Sequence, residues 1–212
     1  VKRLFLCLVT LSLWMAAAAA DISHAQTQPS GIDVYTVQPG DSLWKIAQKY
    51  KVGLAEIIRA NPQIRNPNLI YPGQKVKVPL VPVQIRAVEE QVVKLVNAER
   101  AKRGLKPLTA NWQLSRVARI KSQDMRDRGY FSHTSPTYGS PFDMMQAFGI
   151  AYHAAGENIA AGQTTPAAVM QSWMNSAGHR QNILNPQFTQ IGVGYATGGS
   201  YRYYWTQMFI RP

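Results

Sequence analysis

Glu157 is the one carboxylate in the run YHAAGENIAAG, residues 152–162, where alanine, glycine and isoleucine read as a segment made for burial. A carboxylate taken out of water without a partner costs several kcal/mol, or its pKa rises and it takes up a proton. Glu157 is therefore either exposed at a loop or paired with a group brought from elsewhere in the chain. Ser132 and Ser135 flank His133, but nothing in the local sequence marks either hydroxyl as an activated nucleophile, and turn capping is their expected work. Neither a His-Glu-x-x-His pair nor a Gly-x-Ser-x-Gly elbow occurs.

The first residues bear on the compartment. Lys2 and Arg3 precede an apolar run from Leu4 to Met15 and then a stretch of small residues. This is the order of a secretory signal peptide, with a cut after Ala20 or Ala25. The run is short for a membrane span, which needs about 20 apolar residues, and an uncleaved anchor is the alternative. The only cysteine, Cys7, lies in this segment, so the mature chain is expected to lack a disulfide, a cysteine nucleophile and a cysteine metal site. The net charge of +12 suits anionic partners. Outside the cytoplasm these are anionic wall polymers or membrane surfaces, and no nucleic-acid motif is present. General solubility accounts for the same charge.

The elements that must position any site fall into two groups. Residues 26–32 form a polar tether. Val34–Val37 reads as a strand, and Pro39-Gly40 as a turn. Asp41 or Ser42 caps a helix carrying Leu43, Ile46, Ala47 and Tyr50 on one face. A second helix carries Leu54, Ile57 and Ile58 and stops at Asn61-Pro62, and Lys75–Val78 closes as a strand. This strand–helix–helix–strand unit, residues 33–80, resembles a LysM module, through Gly40-Asp41-Ser42-Leu43, Asn61-Pro62 and Ile70-Tyr71-Pro72-Gly73-Gln74. The resemblance implies binding to N-acetylglucosamine polymers, peptidoglycan or chitin-like glycans. The sugar would lie between Gly40, Asp41, Ser42 and Leu43 on one side and Asn66, Asn68, Leu69, Ile70 and Pro72 on the other.

Pro79 and Pro82 stiffen a linker over residues 81–86, and residues 87–212 are long enough for a full second core. The spacing predicts helices over Ala87–Arg103, with Gly104 as C-cap, Trp112–Arg128, Pro141–Phe148 and Ala167–Asn175, the last ending near Gly178. Glu157–Ala160 reads as a strand, and the tail as two strands joined at Thr197-Gly198-Gly199-Ser200. Trp112, Trp173, Tyr204 and Trp205 are expected in the core, and His153 at the surface. Helices around a mostly antiparallel sheet give an α+β class.

This larger unit resembles the cysteine-rich secretory, antigen 5 and pathogenesis-related (CAP) superfamily in a cysteine-free bacterial form. The motifs are LVNAERAKRGLKPL, FSHTSP, GENIA, WMNSAGHRQNILNP, IGVGYA and YYWTQMF. The resemblance implies an α-β-α sandwich with a cleft lined by two histidines and two glutamates. Glu157, His133 and His179 match three of these positions. The fourth, three residues after Trp173, is Ser176, so a triad is carried over.

Two imidazoles and a carboxylate allow three readings: a His₂Glu zinc site, His133 and His179 with Glu157, that keeps an open position, a general acid/base pair, or a hydrogen-bond network tying segments together. Asn182 is expected as a cap, and Arg180 as the partner of an acid or a wall anion. Two functions follow. The first is a secreted binding or assembly protein of a bacterial cell wall or spore surface, whose CAP cleft takes a lipid, peptide or protein; pairing LysM with CAP resembles spore-coat and cell-wall proteins. The second is a wall-localised hydrolase acting on peptides or peptidoglycan.

Overall fold

A computed structural model describes residues 31–212; the expected signal peptide and most of the tether lie outside them. The small domain consists of β1 (Ile32–Thr36), α1 (Leu43–Tyr50), α2 (Leu54–Ala60) and β2 (Lys75–Pro79), with β1 and β2 antiparallel and Thr36 opposite Lys75. Pairing runs one residue further, because Val37 N–H donates to the Gln74 carbonyl. Ser42 caps α1 by accepting from Lys45 N–H. Asp41 has other work, accepting from Tyr35 Oη at 2.8 Å and Gln38 N–H at 2.7 Å. Buried Asn61 binds the carbonyls of Ile57 and Lys77 and accepts from Lys77 N–H, stitching α2 to β2. The core is Val37, Leu43, Ile46, Ala47, Val52, Ile57, Ile64, Val76 and Val78.

Only Leu80, Val81 and Pro82 separate β2 from the next helix, α3 (Val83–Ala101). The linker is thus shorter than the expected 81–86, and the helix starts four residues before Ala87. Proline carries no N–H for a helical bond, so Pro82 sits without loss just ahead of the first turn. Ile85 in that turn and Val88 in the next pack against the core.

The large domain continues with β3 (Thr109–Ala110), α4 (Trp112–Arg128), α5 (Pro141–Ala147), β4 (Ala154–Ala161), α6 (Pro166–Asn175), α7 (Ala177–Ile183), β5 (Gln190–Thr197) and β6 (Tyr203–Arg211). The sheet order is β3-β5-β6-β4, antiparallel except where short β3 runs parallel to β5. One face carries α3, α6 and α7 over Ile191, Val193, Trp205 and Phe209. The other carries α4 and α5 over Met208 and Ile210. This is the α-β-α sandwich of an α+β protein.

Differences from expectation have local causes. The chain resumes helix as α7 after Ser176, so the helical stretch does not end near Gly178. Trp173, Tyr204 and Trp205 are buried, but Trp112, first residue of α4, is only half-buried and faces the small domain.

Two glycines set the spacing of the sandwich. A Cβ on Gly192 would lie 2.3 Å from the Leu114 carbonyl carbon, and one on Gly194 2.1 Å from that of Ala118. Both obstacles are backbone of α4, which cannot swing away as a side-chain tip does. Ser122 completes the contact, donating to the Gly194 carbonyl at 3.1 Å and sharing a 2.8 Å hydrogen bond with Thr206. Gly194→Ala is therefore expected to destabilise the protein by roughly 3 kcal/mol or more in chemical unfolding. Gly178→Ala, with nothing within 4 Å of the added methyl, should stay within about 0.5 kcal/mol.

Candidate functional site

β4 brings Glu157 opposite Met208, and Met208 belongs to the core under α4. The Glu157 side chain is 1% exposed, and its Oε1 lies 2.7 Å from Nδ1 of His133, whose side chain is 53% exposed. A carboxylate can only accept, so the Nδ1 proton belongs to this bond. In the neutral ring Nε2 then keeps a lone pair. Glu157 is accordingly buried and paired across 24 residues of chain.

The other carboxylate oxygen, Oε2, is buried without a hydrogen-bond partner among the described residues. The compensating charge is Lys121, fully buried on α4. Its Nζ donates to the His133 carbonyl at 2.7 Å and to Tyr130 Oη at 3.3 Å. Burial pushes the Lys121 pKa down, while the charges of Glu157 and Asp124 draw it back up. One turn along α4, Asp124 ties down the loop that carries His133. It accepts from Tyr130 Oη (2.6 Å), Ser135 Oγ (2.7 Å) and Thr137 Oγ1 (2.8 Å), and Arg128 pairs with it at 3.1 Å. Burial alone would raise the Asp124 pKa, but the three hydrogen bonds and Arg128 outweigh it and hold the carboxyl below its usual range. The Tyr130 phenol is pushed up, by burial first and then by its bond to Asp124.

His179 is half-buried on α7. Burial, followed by the charge of His133, lowers its pKa; its backbone carbonyl accepts from Asn158 Nδ2 at 3.0 Å. Among the described residues its ring makes no hydrogen bond to Glu157 or His133, so one imidazole is locked to the carboxylate and the other sits nearby. Asn182 is not a cap: its Nδ2 donates to the Glu157 carbonyl and to Asn158 Oδ1, binding α7 to β4. Among the described residues Arg180 meets no acid, and its Nη1 donates to the Met174 carbonyl. Ser132 and Ser135 are committed to turns, accepting from Thr134 N–H and from Thr137 and Tyr138 N–H. His153 is exposed.

Glu157 stands as the carboxylate that orients His133 rather than as a third metal ligand, and zinc on His133 and His179 would be held through His133 Nε2. His133 Nδ1 is taken by Glu157, and among the described residues no three His, Cys, Asp or Glu side chains converge to hold a metal.

In the small domain, the turn after β1 and the loop before β2 lie at one end of the two-stranded sheet, because Thr36 pairs with Lys75 and Gly73 N–H returns to the Val37 carbonyl. Gly40, at φ +82, shapes the first turn. Its carbonyl accepts from Lys45 Nζ at 2.7 Å. In the second loop Asn66 accepts from Asn68 and Leu69 N–H. Leu69, Tyr71 and Trp44 stand exposed at this end. Leu43 corrects the expected sugar contacts: its side chain is buried in the core, so it offers a groove backbone alone.

Fold and site together define a known class. The family model described as "Cysteine-rich secretory protein family" matches residues 93–209, and the LysM domain model matches residues 35–79. The chain belongs to the cysteine-rich secretory protein (CAP) family and carries a LysM domain ahead of it. It is 63% identical over 129 residues to the uncharacterized protein YkwD of Bacillus subtilis, covering 61% of this chain and 49% of that protein. A 53-residue stretch of the chain is 53% identical to SpoIVD-associated factor A of Bacillus subtilis, covering 25% of this chain and 14% of that one. Among solved structures, an extracellular protein containing a SCP domain from Bacillus anthracis superposes with a TM-score of 0.55 at 40% identity, over 66% of this chain and 47% of that chain. The chain thus spans about half the length of YkwD and less of the others.

Asp124→Asn should loosen the His133 loop and cost about 2–3 kcal/mol at neutral pH, since three hydrogen bonds to a charged acceptor weaken together. The Asp124 pKa is lower folded than unfolded, so its stabilisation is present above the ordinary carboxylate range and is lost as pH falls through the depressed value. In unfolding experiments across pH, the gap between variant and wild type should close on acidification.

Proposed function

We propose that this is a wall-associated protein, exported through its N-terminal segment, whose LysM domain binds N-acetylglucosamine polymers such as peptidoglycan. Its CAP domain then acts as a binding or assembly module held at the wall. The observation carrying this reading is the pair of loops at one end of the small domain, Gly40–Ser42 and Asn66–Pro72, with Leu69 and Tyr71 exposed beside turns rich in backbone donors and acceptors. Sugar rings present C–H faces to such apolar groups, and N-acetyl groups hydrogen-bond to backbone. The extracellular and spore-associated relatives support a wall or spore-surface setting. Anionic wall polymers are secondary partners, in keeping with the positive charge.

For the CAP cleft, binding is preferred to hydrolysis. His133, oriented by a buried carboxylate, has the form of a general base, and this one feature favours a wall-localised peptidase or peptidoglycan hydrolase as the second reading. The neighbouring hydroxyls of Ser132 and Ser135 are held in turns, so a nucleophile would have to be a water or come with the substrate. A lipid, peptide or protein ligand resting on the His133–Glu157 pair asks for no such group.

The full chain should cosediment with insoluble peptidoglycan at raised salt, which screens surface charge, and be released by chitin oligomers. Tyr71→Ala with Leu69→Asp should weaken chitin-oligomer binding about tenfold, roughly 1.4 kcal/mol. Retention that vanishes with salt and ignores chitin oligomers would contradict the glycan reading.

A further inference from the structure

The two domains meet along a seam with a chemistry of its own. Arg116 of α4 grips Glu56 of α2 with two hydrogen bonds, 2.7 and 2.8 Å, and the side chains are only 19% and 24% exposed. At Gly53, the N-cap of α2, a Cβ would lie 1.8 Å from Glu56 Oε2 and 2.3 Å from Arg116 Nε. A glycine is thus what lets the pair close. The seam opens in two places, and Gly53 and Arg116 line the smaller of them. One opening, about 160 Å³, is walled by Trp44, Gln48, Trp112 and Phe148. The other, about 550 Å³, is walled by the end of α1, the linker, the start of α3 and the start of α4. Val52 and Trp112 belong to both.

The larger opening is unevenly charged. Glu89 and Arg119 in its wall neutralise each other at hydrogen-bond distance, and Glu89 also accepts from Tyr195 N–H. Lys51 and Arg86 make no ion pair or side-chain hydrogen bond among the described residues, and Lys49 lies 4.6 Å over the Tyr35 ring, within reach of the Asp41 charge. Against these three cations stands one uncommitted carboxylate, Glu90. Two uncommitted cations, Lys51 and Arg86, with Lys49 beside them around one concavity with a tryptophan wall, fit an anionic ligand that also presents apolar faces.

The position of the opening says which ligand. α1 starts at the Gly40–Ser42 turn and ends at Lys51. Its eight residues span about 12 Å. Trp44, in its first turn, is exposed and borders the smaller opening. A glycan strand leaving the loop site along α1 would pass Trp44 and Trp112 and reach Lys49, Lys51 and Arg86. We propose that the seam between the domains is a second glycan subsite that takes the carboxylates of peptide-substituted wall glycan, so that the whole chain distinguishes peptidoglycan from neutral N-acetylglucosamine polymer. This rests on the glycan reading of the LysM loops. It gives the short linker and the Glu56–Arg116 clamp a role: they hold the two halves of one binding surface in register.

The test uses the full chain and three soluble probes in isothermal titration: a chitin tetramer, a glycan tetramer carrying carboxylate-bearing stem peptides, and poly(glycerol phosphate). Wild type is expected to bind the carboxylated tetramer at least tenfold more tightly than the chitin tetramer. In the double variant Lys51→Glu, Arg86→Glu that advantage should vanish while chitin binding is unchanged, which also shows that the variant is folded. Equal wild-type affinity for the two tetramers, or an advantage that survives charge reversal, would overturn the proposal while leaving the LysM reading intact. So would tighter binding of poly(glycerol phosphate) than of the carboxylated tetramer, which would assign the seam to phosphate polymers. If neither tetramer binds, the LysM reading fails and the subsite with it.

Discussion

The large domain is organised by one contact, the seating of α4 directly on β5 at Gly192 and Gly194. Without side chains on these two residues, helix backbone and strand backbone touch, and Ser122 closes the gap with a bond to the Gly194 carbonyl. This depth buries Lys121 and Asp124 against the loop that carries His133 rather than leaving them in solvent. Lys121 then carries the charge opposite Glu157, and Asp124 anchors the loop that delivers His133. A methyl group's worth of extra spacing would pull both away from the groups they serve. The site is thus a consequence of how closely two backbones approach, some distance from any residue that a ligand would touch.

The polar interior of the domain is a chain of dependencies. Glu157 needs His133 and Lys121, because a carboxylate that is 1% exposed has no water to replace them. Lys121 in turn needs the His133 carbonyl and Tyr130, and Tyr130 needs Asp124. On the opposite face of β4, Asn158 and Asn182 fasten α7, which bears His179. His133 and His179 therefore reach the site from opposite faces of the same strand. These bonds fix the His133 loop and α7 around the site, with Glu157 Oε2 the one oxygen of that carboxylate left without a partner among the described residues.

Much of this was legible in the sequence because it followed period and cap chemistry. The core stripe Leu114, Val117, Ala118 and Met125 specified α4, and Gly40, Asn61-Pro62 and Ile70–Gln74 marked the turns of the small domain. The same helical period also held a signal that residue type concealed. Lys121 lies three residues after Ala118 and four after Val117, squarely on the buried face, and Asp124 three further on; a lysine on such a stripe reads as polar and exposed until its partners are known. Those partners come from a loop and a strand far along the chain, which no local pattern joins. Trp112 misled in the opposite sense, since a tryptophan opening an amphipathic helix reads as core when the neighbouring domain is not in view. The missed α7 and the early start of α3 share a cause: Ser176 and Pro82 interrupt the local pattern, but packing on the sheet supplies helix on their far sides.

The central claim is that Glu157 exists to hold His133, and imidazole nitrogen spectra of the labelled full chain, with His153 as an exposed internal reference, address it most directly. When His133 is neutral, its proton should reside on Nδ1, strongly deshielded by the bond to Glu157, while His153 shows the mixture of tautomers typical of a ring in water. Substituting Glu157 by alanine should return His133 to the pattern of His153. If His133 in the unmodified protein already carries its proton on Nε2 and behaves like His153, the buried carboxylate is not its partner and this account of the site is wrong.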